Sequence, residues 1–186
     1  LMTVGSAASK PVPALTVFGG YSGSALAWVG NTLYLTLNGS PSPLLWGTGA
    51  AGNGVWDVNN AGNLVWKDNT GAATSYQEPP GGLTGSRVVF DDSYVTADAA
   101  VTLNSIVSPA AIAFSNTTYK YTLAGGGGIA GTFVLPKFGT NQVTLATVNS
   151  YTGGTRVAEG TLKLASGGVI SHAAGDCVVG ASLATG

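Results

Sequence analysis

The sequence predicts an all-β fold of the β-solenoid kind, and three observations carry that expectation. No window pairs apolar residues at i, i+3, i+4 and i+7 with a charged opposite face, and Gly, at 29 of 186 positions, interrupts nearly every stretch. The period that does occur is two: Leu33, Leu35 and Leu37 alternate with Thr and Tyr, and Tyr119, Tyr121 and Leu123 alternate with Lys and Thr. From about Gly125 onward a Gly-Thr step recurs at 131, 139, 154 and 160, followed by apolar alternation. Repetition of this sort favours stacked coils over a sandwich or barrel, because each coil buries its inward side chains on the next while Gly turns the corners.

Taken in order, residues 1–20 read as an extended N-terminal arm in which Pro11 to Phe18 are apolar and uncharged. Residues 21–99 read as a β-rich, tryptophan-containing capping module, less regular and interrupted by Gly, Asn and Pro. Residues 100–186 read as the solenoid repeats, continuing into further coils or a neighbouring subunit. Within them short strands are expected at 101–103, 112–114, 119–123, 132–135, 143–145, 155–157 and 161–164, each bounded by Gly, Asn, Ser or Pro. In the last of these, alternation turns Leu162 and Leu164 to the core and Arg156, Glu159 and Lys163 to solvent, since a buried unpaired charge is costly.

Composition excludes several function classes. Seven Lys and Arg against eight Asp and Glu leave a net charge of −1, which offers no footprint for a phosphate backbone, so no nucleic-acid partner is expected. Mean hydropathy is +0.30, yet the apolar runs fall well short of the ~20 residues of a spanning helix, so no integral membrane segment is expected. Only 8% of residues are charged, against roughly 25% in an average soluble protein, and solubility must rest on hydroxyls, amides and backbone. A lone Cys177 excludes an internal disulfide.

Residues 149–164, Asn-Ser-Tyr-Thr-Gly-Gly-Thr-Arg-Val-Ala-Glu-Gly-Thr-Leu-Lys-Leu, resemble the autotransporter-associated β-strand repeat. Asn149, Tyr151, Gly153, Gly154, Val157, Gly160, Leu162 and Leu164 all stand at its patterned positions. Lys137 to Leu145 resemble the usual lead-in, with Asn141 where a second Gly is typical. Trp46, Trp56, Asp57, Trp66 and Val89 to Asp92 resemble the tryptophan-bearing segment that often precedes such repeats in large bacterial surface proteins. The resemblance covers roughly residues 44 to 170. It implies a right-handed parallel β-helix serving as the exported passenger or stalk of a larger protein, and it supplies no catalytic residues.

Motifs that suggest chemistry fail on context. Gly126 to Gly131 satisfy G-x-G-x-x-G, but a strand-like segment with Pro136 follows where a dinucleotide site needs a helix N-terminus. Ser171, His172, Asp176 and Cys177 are close in sequence, yet residues 171 and 172 face opposite ways if extended. Asp57, Asp68, Glu78, Asp91, Asp92 and Asp98 are the raw material of a polysaccharide-cleaving β-helix, but they are scattered through turns. Trp46, Trp56 and Trp66, ten residues apart, could form a stacking platform for sugar rings, while their apolar neighbours suit indoles that cover a core. Asn38-Gly39-Ser40 and Asn116-Thr117-Thr118 match the glycosylation sequon.

The expected function is therefore a non-enzymatic structural or adhesive segment of a secreted or surface-displayed bacterial protein. No catalytic residue, cofactor or metal is assigned, and the expected partners are identical copies or further repeats of the same parent protein, with surface glycans as a further class. The alternative is a carbohydrate-binding or polysaccharide-cleaving module.

Overall fold

The computed structural model describes residues 25–29, 31–36, 42–47, 53–78, 85–170 and 177–179; the arm expected over residues 1–20 lies outside them. The described residues contain nineteen strands and no helix. β1 (Ala25–Val29) and β2 (Thr32–Thr36) form an antiparallel hairpin. In β2, Leu33 is half-buried but Leu35 is exposed, so the common half-buried face expected there does not form. The strands that follow are β3 (Leu44–Trp46), β4 (Asn53–Val55), β5 (Trp66–Lys67), β6 (Ala73–Thr74), β7 (Gly85–Phe90), β8 (Ala99–Thr102), β9 (Ile106–Val107) and β10 (Pro109–Phe114). After them come β11 (Tyr121–Ala124), β12 (Gly128–Ile129), β13 (Leu135–Lys137), β14 (Gln142–Leu145), β15 (Val148–Asn149), β16 (Thr155–Val157), β17 (Thr161–Leu164), β18 (Val169–Ile170) and β19 (Cys177–Val179).

These strands wind into a β-solenoid of about four turns with three faces. One face is an eight-stranded sheet ordered β19-β16-β13-β10-β7-β3-β5-β6, and a second is a five-stranded sheet ordered β17-β14-β11-β8-β4. The third consists of the pairs β9–β12 and β15–β18. Every pairing from β7 to β19 is parallel. On the first face Phe90, Phe114, Lys137, Val157 and Val179 stand in one column, so that successive turns take 24, 23, 20 and 22 residues.

Alternation decides what each strand buries. Along β7, Ser86, Val88 and Phe90 point inward while Arg87 points out, and along β11 Tyr121 and Leu123 are buried with Thr122 exposed. On the five-stranded face the inward positions form two ladders, Ala99-Tyr121-Val143-Leu162 and Val101-Leu123-Leu145-Leu164. Phe90 stacks on Phe114 with centroids 4.9 Å apart. Buried side chains of neighbouring turns thus repeat at about the 4.8 Å strand spacing.

Two expectations are corrected. The strand expected at 132–135 instead runs over Leu135–Lys137, with Pro136 inside it. Proline is tolerated because Leu135 N–H donates to Gly154 on the β16 side and Phe138 N–H to Phe114 on the β10 side, so position 136 would donate toward β10. That missing donor leaves β10 and β13 paired only at Phe114 and Lys137. The solenoid also begins earlier than residue 100. β8 straddles the expected 99/100 boundary, and β3 and β4 already pair in parallel with β7 and β8. The register expected around the last coil is as predicted for the charged groups: Arg156, Glu159 and Lys163 are exposed. Leu162 and Leu164 lie in the core ladders, but Leu164 remains 47% exposed because no described strand covers β17.

Candidate functional site

Each residue that sequence reasoning singled out for chemistry can now be placed. Trp46, Trp56 and Trp66 are fully buried. Trp66 packs edge-on against Trp46 (5.0 Å, 88°) and Trp56 (5.2 Å, 74°), Trp56 meets Tyr76 edge-on (5.2 Å, 85°), and Trp66 also contacts Phe90 at 5.4 Å. The three indoles and Tyr76 make an aromatic plug at the N-terminal end of the core. β5 and β6 bring two of its rings into place: Trp66 lies opposite Trp46 in the β3–β5 pairing, and the hairpin turn between them is held by Asp68. With no ring face reaching solvent, the sugar-stacking platform does not exist in this fold. None of the three indole N–H groups has a hydrogen-bond partner, a cost of about 1–3 kcal/mol apiece that the edge-on ring contacts and burial must offset.

The six carboxylates singled out in the sequence are all engaged by the chain. Asp57 accepts from the side-chain amides of Asn60 (2.9 Å) and Asn63 (3.1 Å), and Asp68 accepts from Thr70 N, Thr70 Oγ1 and Ala72 N at 2.7–2.9 Å. The Thr70 hydroxyl and amide hold the Asp68 carboxyl below its ordinary pKa. Asp91 binds the amide and hydroxyl of Ser93. Three others reach across to the next turn. Glu78 accepts from Tyr76 OH (2.8 Å) and Ser108 N (2.5 Å), and Asp98 from Lys120 N (2.9 Å). Asp92 takes Thr117 N (2.6 Å), Thr117 Oγ1 (2.7 Å), Thr118 N (2.9 Å) and Tyr119 N (3.1 Å). These six are turn braces and coil-to-coil staples, and their scatter along the sequence is the scatter of the corners they hold.

Asp92 yields a pH prediction. Burial raises its pKa, but the hydrogen bonds from Thr117, Thr118 and Tyr119 outweigh that and hold the carboxyl below its ordinary value. A depressed folded pKa means stability that is present above the unfolded value of about 3.9 and is lost as pH falls through the folded pKa. Asp92→Ala is expected to lower the unfolding free energy at pH 7 by roughly 1.5–3 kcal/mol. Urea melts of the two proteins should converge as pH falls through the folded pKa; a gap unchanged down to pH 2 would contradict the assignment.

The repeat motif is corner chemistry. Asn149 is buried and replaces a ladder rung: its Oδ1 accepts from Ile129 N (3.1 Å) and Thr147 Oγ1 (2.9 Å), and its Nδ2 donates to the carbonyls of Thr147 (2.9 Å) and Val169 (3.1 Å). One amide side chain thereby ties three successive turns on the third face. Tyr151 is buried, stacks on Phe133 at 5.5 Å and shares a 2.7 Å hydrogen bond with Thr155 Oγ1. Gly153 lies beside the Phe133 backbone, and Gly154 and Gly160 have φ of +91° and +70°, a region that penalises any side chain. The glycine run has the same purpose. A Cβ on Gly128 would stand 1.8 Å from the carbonyl oxygen of Val148 in the next turn, so this glycine permits stacking rather than phosphate approach.

The sequon at Asn116 is closed, because Asn116 is fully buried and its Nδ2 donates to the carbonyls of Tyr119 (2.7 Å) and Gln142 (3.1 Å). Asn38, Ser171, His172 and Asp176 lie outside the described residues, and Cys177 enters only as a backbone position in β19. Among the described residues no three His, Cys, Asp or Glu side chains group as metal ligands, and no helix is long and apolar enough to cross a membrane.

Sequence reasoning missed two features. Lys137 is the only charged side chain among the described residues that is fully buried, standing in the column between Phe114 and Val157 with Nζ donating to the Gly139 carbonyl. Burial pushes its pKa down, opposed by Glu159 and Asp92. The alternation Leu135-Pro136-Lys137 was the available signal. An ammonium buried among apolar side chains, with a backbone carbonyl as its hydrogen-bond partner, costs more than it returns, so Lys137→Met is expected to leave stability unchanged or raise it by about 1–4 kcal/mol. Urea denaturation at pH 7 checks this; a clear loss of stability would contradict it. The other feature is a groove of about 280 Å³ on the outer face of the eight-stranded sheet, lined by Arg87, Val89, Ala113, Val134, Pro136 and Phe138. It opens where Pro136 thins the β10–β13 ladder, and it holds no nucleophile or carboxylate.

No family model, curated protein or solved structure matches this chain.

Proposed function

We propose that the chain is a non-enzymatic structural segment of a secreted or surface-displayed bacterial protein, a rigid β-solenoid whose function is reach and presentation. One observation supports this above the others. The side chains best suited to chemistry are committed to the fold: six carboxylates brace turns or staple coils, and the tryptophans form a plug. The resemblance of residues 149–164 to the autotransporter-associated repeat supports the surface assignment, since the motif residues perform the corner and rung roles that a long coil needs many times over.

Proteinase treatment of intact bacteria that express the parent protein tests the location, and the expected result is release of peptides from residues 85–170 without lysis. Titration with neutral and acidic polysaccharides tests the function: tryptophan emission should stay unchanged and no new sugar ends should appear. A saturable emission change, or sugar-end release abolished by Asp92→Asn, would favour the carbohydrate-active reading instead.

A further inference from the structure

Charge and bulk are unevenly placed on the outer face of the eight-stranded sheet. Its strands contain no Asp or Glu, while Lys67, Arg87 and Arg156 alternate with buried neighbours and point outward. Arg87 stands opposite Ala111, and Val89 opposite Ala113. Pro136, one residue before the Phe114–Lys137 pair, continues the row of Val89 and Ala113 and lies opposite Arg156. Two alanines thus form a shallow floor between bulkier strands, and Val134 and Phe138, 50% and 45% exposed, stand on the β13 side. Together these residues line the groove of about 280 Å³, the space of roughly nine water molecules. Arg87 is exposed at its border, and among the described residues its guanidinium meets no carboxylate.

We propose that this groove binds a small carboxylate with an apolar body, an aryl or acyl acid. The carboxylate pairs with Arg87, and the body lies on Ala111 and Ala113 against Pro136 and Phe138. Apart from Arg87 the lining carries no charge, so a ligand that is polar throughout gains nothing by displacing water from it. A guanidinium is weakly hydrated, and its planar fork meets a carboxylate with two parallel hydrogen bonds. Apolar cover on one side of that pair excludes water and makes it stronger than an ion pair on open surface. The volume sits at the lower limit of small-molecule sites, about 300 Å³, which suits one ring system or one short acyl chain. The proposal goes beyond the structural reading above and does not rest on it.

Titration of the full 186-residue chain with naphthoate and with its uncharged isostere naphthamide tests this, read by calorimetry and by amide shifts in proton–nitrogen correlation spectra. Naphthoate should saturate at about 1 mM or below, shift the Arg87, Ala113 and Phe138 amides, and bind at least about tenfold more tightly than naphthamide. Arg87→Gln should remove that preference. Ala113→Leu, which fills the floor, should weaken both probes by about tenfold or more, and Arg156→Gln should change neither by more than about twofold. Decanoate and decanamide, titrated in the same way, separate the two sources: the pair with the larger carboxylate preference names the ligand as aryl or acyl. Absence of saturable shifts, equal affinity for acid and amide in both pairs, or equal losses from Arg87→Gln and Arg156→Gln would each overturn the proposal, the last by showing a diffuse charge effect. If Ala113→Leu fails to fold, Arg87→Gln and the acid–amide comparison still decide.

Discussion

Trp66→Ala is expected to lower the unfolding free energy by about 3–5 kcal/mol, the range for removing a large buried aromatic. Trp66 is the hub of the plug: its ring touches Trp46, Trp56, Tyr76 and Phe90, and no part of it reaches solvent. Truncation leaves a cavity that these rings cannot close without giving up their edge-on geometry, and it opens the N-terminal end of the core to water. Trp66→Phe should cost much less, since it keeps a ring in place and removes an unpaired indole N–H. Denaturant melts followed by circular dichroism check both variants. Equal losses for Ala and Phe, or a loss below about 1 kcal/mol for Ala, would show that the plug does not seal the core.

Leu145→Ala should cost about 2–5 kcal/mol, whereas Leu164→Ala, the same substitution one turn later in the same ladder, should cost clearly less. The two leucines are opposite each other in the β14–β17 register, and they differ in cover: Leu145 has a turn on either side, and Leu164 is 47% exposed. Lys163→Ala, on the outward face, should fall within about 0.5 kcal/mol of the parent. The order Leu145, Leu164, Lys163 in thermal melts is the expected result. Equal losses at Leu145 and Leu164 would mean that the last described turn is covered as fully as the one beneath it.

Much of this architecture was legible because a parallel coil repeats its instructions. β16 and β17 fall on the residues that period-two alternation and the Gly-Thr steps marked, and Gly154 and Gly160 of the motif sit where φ is positive. Asn149 was visible as a patterned position, but its role in joining three turns was not, since hydrogen bonds to Ile129 and Val169 depend on which residues the winding superimposes. The same limit hid the acids. Asp92 reaches residues 117–119 and Glu78 reaches Ser108, separations at which sequence shows only scattered carboxylates. Pro136 was read as a strand end because proline lacks a donor. It sits within β13 because only the ladder toward β10 loses a rung. The early start of the solenoid was obscured by residues 56–78, an excursion that follows β4 and carries the β5–β6 cap. Parallel pairing of β3 with β7 across that gap leaves no local signal.

Disulfide trapping tests the stacked, in-register coil most directly. Ala100 and Thr122 are exposed, lie opposite each other in the β8–β11 pairing and are 22 residues apart in sequence. In a Cys177→Ser background, Ala100→Cys with Thr122→Cys should oxidise to an intramolecular disulfide, because neighbouring strands hold Cα atoms within the roughly 4.4–6.8 Å that the bond requires. The account predicts one linked tryptic fragment pair, formed at a rate independent of protein concentration. Free thiols under mild oxidation, or disulfides only between molecules, would contradict it.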